Sequence, residues 1–99
     1  MTTVEVKETL IRVYGHSGYA PIGHDIVCAA ISTLTEATYN YLVATGNKVK
    51  NEESNGVYII HLEELNKQGK AIIDSFIDMV QDIINQYPKY ITWRKIWKN

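Results

Sequence analysis

Cys28 and His16 are the two residues of this chain whose side chains are best suited to nucleophilic catalysis. A cysteine thiolate attacks carbonyl carbons, and an imidazole within about 2.6 to 3.2 Å of the sulfur can accept the thiol proton. Cys28 is the only cysteine in the sequence, so an intrachain disulfide and a cysteine-rich zinc site are both excluded. A lone cysteine is more often a buried apolar residue, and a bare Cys–His pair is therefore a weak signal of catalysis.

The residues before Cys28 predict a loop followed by the start of a helix. Segment 15–24 contains three glycines and a proline, which is typical of a loop. Asp25 is a favourable N-cap residue, and the apolar residues after it recur at helical spacing. We therefore expect a helix over about 25–45, with Gly46 as its C-terminal stop.

This helix start would put Cys28 near the third helical position, in the first turn. The unpaired N–H groups and the helix dipole in a first turn favour a thiolate over a thiol. The N–H groups near Val27 and Cys28 would also stabilise an oxyanion. His16 lies where the first strand region ends and the glycine-rich loop begins. A strand that ends at the sheet's edge, followed by a loop and a returning helix, would bring His16 close to Cys28.

The rest of the sequence predicts short strands around a second helix. Asn55-Gly56 is a tight-turn signal, and Pro88 ends a long apolar stripe at helical spacing. The expected elements are a strand region over 3–15 (one strand, or two with a bend near Lys7-Glu8), a polar edge strand over 47–52, an apolar strand over 57–62, a helix over about 67–87 and a last strand over 90–97. The order β-α-β-β-α-β predicts an α+β fold, a two-layer sandwich with two helices on one face of a small, mostly antiparallel sheet.

Composition and charge limit the function classes. The chain has 99 residues, of which 45% are hydrophobic and 21% charged, and its formal net charge is -1. We expect one domain over 1–99, located in the cytoplasm, because no apolar run approaches the roughly 18 residues that cross a bilayer and the N-terminus is unlike a signal peptide. We expect neither membrane association nor direct nucleic-acid binding, since the charge is balanced.

The glycine-rich loop and the helix after it resemble the signature of a known family, the ribosomal-processing cysteine proteases Prp (YsxB-like). The family pattern is a Gly-His-Ala/Ser block followed, twelve residues after the histidine, by the cysteine of Asp-x-Val-Cys-Ala-Ala-x-Ser. Residues 15–20 (GHSGYA) and 25–32 (DIVCAAIS) fit this pattern, and His16 and Cys28 are also twelve residues apart. Residues 87–91 resemble the family's C-terminal end, so the resemblance extends over nearly the whole chain.

The resemblance implies roles for individual residues. His16 would be the general base and Cys28 the nucleophile of a cysteine endopeptidase that needs no cofactor and no metal. Gly15 would be a hinge that lets the loop of residues 17–24 move over the substrate, and Ser32 would line the site. The substrate would be the precursor of a large-subunit ribosomal protein, whose N-terminal extension is removed, and the protease would be a homodimer.

Several alternatives remain open from the residues alone. Asp25 is either a helix cap or a group that orients an imidazole, and His24 is a second imidazole only four residues before Cys28. A zinc site of His16, His24 and Cys28 would lack an obvious fourth ligand. Trp93 and Trp97 fill the core or form a dimer interface. The rival function is a non-catalytic, ribosome-associated binding module of the same fold.

Overall fold

A hairpin of the first two strands forms the middle of a five-stranded sheet. The computed structural model describes residues 2–15 and 22–97, and within residues 22–25 the backbone alone. The elements are β1 (Thr2–Lys7), β2 (Leu10–Tyr14), α1 (Ile22–Ala44), β3 (Lys48–Ser54), β4 (Val57–Glu64), α2 (Lys67–Gln86) and β5 (Ile91–Ile96). The strands lie in the order β3-β4-β2-β1-β5, and β1 pairs in parallel with β5, whereas the other neighbours are antiparallel. The predicted α+β fold is confirmed, with the N-terminal strand region divided into two strands.

The core lies between one face of the sheet and the two helices. Strand residues alternate between the two faces, so every second residue of β1 and β2 faces the helices. These inward positions hold fully or nearly fully buried aliphatic residues, which pack against apolar residues of α1 and α2. The main core residues are Val4, Val6, Ile11, Val13, Val27, Ile31, Leu42, Ile60, Ile73, Phe76 and Val80.

The C-terminal tail closes the core. Trp97 is 9% exposed, and its indole Nε1 donates a hydrogen bond to Asp74 Oδ1 on α2 at 3.0 Å. Trp93 is half-buried against the same core. The core interpretation is therefore correct for Trp97, because its ring is covered and its polar atom is satisfied within the chain. Neither helix in the described residues combines the length and the apolarity that a membrane span needs.

Helix α1 begins three residues before the predicted start, at Ile22. Asp25 therefore lies inside the helix and is not its N-cap, and the predicted loop is shorter at this end. The missed signal is Pro21, since proline is common at the beginning of a helix, where its lack of an N–H costs nothing. The predicted end is confirmed: α1 stops at Ala44, and Gly46 follows with a φ of 84°.

The face of the sheet opposite the helices carries one buried acid, Glu5, which is only 1% exposed. Arg12 on the neighbouring β2 donates from Nε to Glu5 Oε1 at 2.6 Å, and Arg94 on β5 lies 3.6 Å from Oε2. Arg12 also stacks over the Tyr14 ring, 4.6 Å from its centroid. A buried carboxylate is tolerated only when it is paired. The two arginines therefore fix the register of three adjacent strands and hold Tyr14 at the end of β2.

Asn47 joins the end of α1 to the beginning of α2. Its Nδ2 donates to Leu42 O at 3.1 Å, and its Oδ1 accepts from Asn66 N at 2.8 Å. Asn66 is the N-cap of α2, and its side chain accepts a hydrogen bond from Gly69 N at 2.8 Å. Gly69 packs directly against the Asn47 amide, so that a Cβ there would lie 2.7 Å from Asn47 Cγ and overlap Oδ1.

We predict that Gly69→Ala destabilises the protein by about 1–3 kcal/mol, the usual cost of overpacking a tight site. Alanine normally stabilises a helix by about 1 kcal/mol relative to glycine, so the sign of the change separates the two effects. Gln68→Ala, at the exposed neighbouring position, should leave stability almost unchanged. Urea denaturation of Gly69→Ala, of Asn47→Ala and of the double variant Asn47→Ala/Gly69→Ala measures the coupling energy between the two residues. Additive effects of Asn47→Ala and Gly69→Ala would contradict the proposed clash.

Candidate active site

The ends of four adjacent strands lie side by side at the end of the sheet where β1 begins. The register pairs Thr3 with Tyr14, Tyr14 with Val57, and Val57 with Ser54. The beginning of β1, the end of β2, the beginning of β4 and the end of β3 therefore lie side by side. Helix α1 crosses this end of the sheet and leaves a groove of about 170 Å³ between itself and the strands. We call it the Cys28 groove, and its lining includes Thr2, Gly15, Cys28, Ser32, Glu36, Glu53 and Tyr58.

Cys28 lies on the border of the buried face of α1. It is half-buried, whereas the preceding residue, Val27, is completely buried. Its Sγ lies 3.0 Å from the hydroxyl Oγ1 of Thr2, the first residue of β1. The sulfur is thus open to the groove on one side and held against the sheet on the other.

The structure corrects the expected position of Cys28 in its helix. With α1 beginning at Ile22, Cys28 is the seventh helical residue and lies in the second turn. Only the first four N–H groups of a helix lack intrahelical partners, and the effect of the dipole falls off within the first turn. The expectation that the N–H groups of Val27 and Cys28 bind an oxyanion is therefore wrong, because those groups are used inside the helix.

Three of the residues singled out in the sequence come together in the groove. Ser32 is exposed one turn after Cys28 on the same side of α1, and Gly15 lines the groove at the end of β2. Gly15 has a φ of 107°, a backbone conformation that other residues rarely adopt. The loop expected to move over the substrate was residues 17–24, of which residues 22–24 belong to α1. His16 and residues 17–21 lie outside the described residues, as do the side chains of His24 and Asp25.

Sequence reasoning missed most of the groove lining, including Thr2, Glu36, Glu53 and Tyr58. Helical spacing could have predicted Glu36, because it follows Cys28 by two steps of four residues and so shares its helix face. Thr2, Glu53 and Tyr58 had none, since their position depends on which strands are neighbours in the sheet.

The groove is negatively charged beyond Ser32. Glu36 on α1 and Glu53 on β3 line it, and neither forms an ion pair with another described residue. Partial burial raises the pKa of the neighbouring Tyr58, a hydrogen bond from Asn51 lowers it, and the charges of Glu36 and Glu53 raise it further. The Tyr58 hydroxyl therefore stays neutral near neutral pH and reports on the local negative potential.

A metal centre receives no support from the described side chains. In residues 2–15 and 26–97, no group of three histidine, cysteine, aspartate or glutamate side chains converges on one point. The third histidine, His61, lies on the opposite face of the sheet, where its Nε2 is 2.7 Å from Glu52 Oε1.

Glu53→Gln should lower the pKa of Tyr58 towards its ordinary value of 10.0, because a negative charge that opposes tyrosinate formation is removed. The pKa is measured by following the Tyr58 ring through a pH titration by NMR. Glu52→Gln is the matched control, since this neighbour pairs with His61 on the other face of the sheet. A Tyr58 pKa that is the same in Glu53→Gln and in the unmodified protein would contradict this account of the groove's charge.

The family comparison covers most of the chain. A family model described as cysteine protease Prp matches residues 1–92. No curated protein matches the chain at a significant level.

Solved structures share the fold over almost the full length. An essential ribosomal processing protease Prp from S. aureus, in complex with a substrate peptide, matches with a TM-score of 0.82 and 20% identity over 95% of this chain and 96% of that chain. The S. aureus protease with a covalently linked product peptide matches with a TM-score of 0.80 and 23% identity over 96% and 99%. A protein from Streptococcus mutans matches with a TM-score of 0.72 and 21% identity over 98% and 93%. At these identities the likeness establishes a common fold.

Proposed function

Because the chain belongs to the cysteine protease Prp family, we propose that it removes the N-terminal extension of a large-subunit ribosomal protein, with Cys28 as nucleophile and His16 as general base. Membership of the family makes the chain a cysteine protease and decides against a non-catalytic binding module. The cleaved protein and the two catalytic residues are the proposed part.

The observation that carries the assignment of the nucleophile is the single cysteine. A cysteine protease needs a cysteine thiolate, and Cys28 is the only cysteine in the sequence. Cys28 also opens onto a groove at the end of the sheet. A residue sealed in the core could not attack a peptide bond, so its half-buried position supports the same role.

The general base is chosen from three histidines. His61 is excluded because it lies on the face of the sheet away from α1, bound to Glu52. His16 directly follows Gly15, which lines the same groove as Cys28. His16 is chosen over His24 because the family signature that the sequence resembles has its histidine twelve residues before the cysteine, which is the spacing of His16 and Cys28.

The proposed reaction has two stages. His16 removes the thiol proton of Cys28, and the sulfur attacks the carbonyl carbon of the scissile peptide bond. His16 then donates the proton to the leaving amine as the carbon–nitrogen bond breaks, and water hydrolyses the thioester. Ser32, which is exposed beside Cys28, contacts the bound peptide.

The charge of the groove supports a basic protein as substrate. Ribosomal proteins bind RNA, and proteins that neutralise phosphates are rich in lysine and arginine. Glu36 and Glu53 offer two carboxylates to a basic segment that lies along α1.

The homodimer that the resemblance implies remains a proposal. Two exposed apolar residues of α1, Ile26 and Tyr41, support it, and a monomer in sedimentation equilibrium would contradict it.

We expect Cys28→Ala to abolish cleavage of a peptide spanning the N-terminal extension, because the nucleophilic sulfur is lost. His16→Ala should lower the rate by about 10²- to 10⁴-fold, the usual contribution of a general base. Thr33→Ala is the control, since Thr33 is exposed on α1 outside the lining of the groove. Mass spectrometry of the products measures the cleavage. Undiminished cleavage by Cys28→Ala, with its fold intact by circular dichroism, would refute the proposal.

Glu53→Gln and Glu36→Gln should each raise KM about two- to fivefold for a peptide containing lysine or arginine, with little change in kcat, because exposed charge pairs contribute only modestly. The increase should diminish at high salt, which screens such pairs. Glu52→Gln removes a charge from the same strand on the opposite face and should leave KM unchanged. Equal effects of Glu52→Gln and Glu53→Gln would show that net charge matters and the groove does not.

A further inference from the structure

The hydroxyl of Thr2 makes a close polar contact with the sulfur of the proposed nucleophile. Thr2 Oγ1 lies 3.0 Å from Cys28 Sγ, and Thr2 is only 3% exposed. The residue is well anchored, since its N–H donates to Tyr90 O at 3.1 Å and its backbone pairs with Ile91 of β5. A β-branched side chain has few rotamers, so the hydroxyl has little freedom to leave the sulfur.

The direction of this hydrogen bond depends on the ionisation of the sulfur. With a thiol, either the hydroxyl or the S–H group can be the donor. With a thiolate, only the hydroxyl has a proton to donate, and a hydrogen bond to the charged form of a group favours that form. Such charge-assisted bonds are about twice as strong as neutral ones.

The contact with Thr2 offers the sulfur a stabilisation of negative charge that the N-terminus of α1 does not provide. Cys28 is the seventh residue of α1, beyond the first turn in which free N–H groups and the dipole stabilise a negative charge. The Thr2 hydroxyl comes from a different element, the first residue of β1, and reaches the sulfur from the sheet. A buried hydroxyl also costs free energy unless it is hydrogen-bonded, so the position of Thr2 has a clear function when the sulfur is its partner.

We propose that Thr2 is a positioning residue for the Cys28 nucleophile, and that its hydroxyl donates a hydrogen bond to the thiolate and thereby increases the ionised fraction of the sulfur at neutral pH. The proposal rests on the role of Cys28 proposed above. The bond stabilises the thiolate before attack and weakens as the sulfur loses its charge to the new carbon–sulfur bond. Its loss therefore slows the reaction at low pH, where few sulfurs are ionised, but not at high pH.

The test is the rate of Cys28 alkylation by iodoacetamide as a function of pH, since Cys28 is the only thiol in the chain. For Thr2→Val, an isosteric change without the hydroxyl, the half-maximal rate should move up by about one pH unit. Alkylation on the acidic side should be roughly threefold slower and the plateau at high pH about threefold higher, because a thiolate that has lost its hydrogen bond is more nucleophilic. Thr2→Ser should keep the midpoint of the unmodified protein, and Thr3→Val, on the opposite face of β1, is the matched control.

Thr2→Ala removes the same hydroxyl with a smaller side chain and should show the same shift, so the result does not depend on how well valine packs. An unchanged midpoint in Thr2→Val or Thr2→Ala, or a shifted midpoint in Thr2→Ser, would overturn the proposal. Failure of the proposed function has a different signature, because wild-type protein would then leave the extension peptide uncleaved whatever its alkylation profile.

Discussion

The burial of Val27 and Ile31 against the sheet determines the orientation of α1 and so determines which side chains face the groove. Both residues are completely buried and lie four positions apart, on one side of the helix. Cys28 follows Val27 by one position, about 100° further around the helix, which puts it on the border between core and groove. Ser32 and Glu36 continue the same line at intervals of about one turn. The same orientation of α1 therefore produces both its core contacts and the set of its side chains that line the groove.

The connection of the strands supplies the other half of the site. In antiparallel neighbours the end of one strand lies beside the beginning of the next. The hairpin of β1 and β2 therefore puts Thr2 and Gly15 at the same end of the sheet, and β4 begins there too. Helix α1 follows β2 in the chain and covers this end, so Gly15 and the side chain of Cys28 belong to the same region by topology.

Most of the fold could be predicted from sequence, because the spacing of apolar residues and the positions of glycine and proline indicate local structure directly. The end of α1, the turn at Asn55-Gly56 and the edge position of β3 all follow from such local signals. The beginning of α1 could not be fixed, since Asp25 and Pro21 are competing start signals and the rule for N-caps favoured the wrong one.

The groove was only partly accessible to the same reasoning. Ser32 follows from helical spacing, but Thr2 and Glu53 come from strands whose neighbours and register are set by long-range pairing. Alternation along a strand indicates which residues share a face and does not tell which of them meets a given helix residue. Thr2 is the clearest case, since 26 residues separate it from Cys28.

The carboxylates of the groove disfavour a negative charge on the Cys28 sulfur in principle, and the size of this effect depends on their distance from it. Glu36 is eight residues after Cys28 on α1, so the two positions are separated by about 12 Å along the helix axis. The Debye length at physiological ionic strength is about 8 Å, and Glu36 is exposed, so its effect on the sulfur is largely screened. A hydrogen bond to the sulfur acts at contact and escapes this screening. The groove can therefore attract a basic peptide at one end while Thr2 stabilises a negative sulfur at the other.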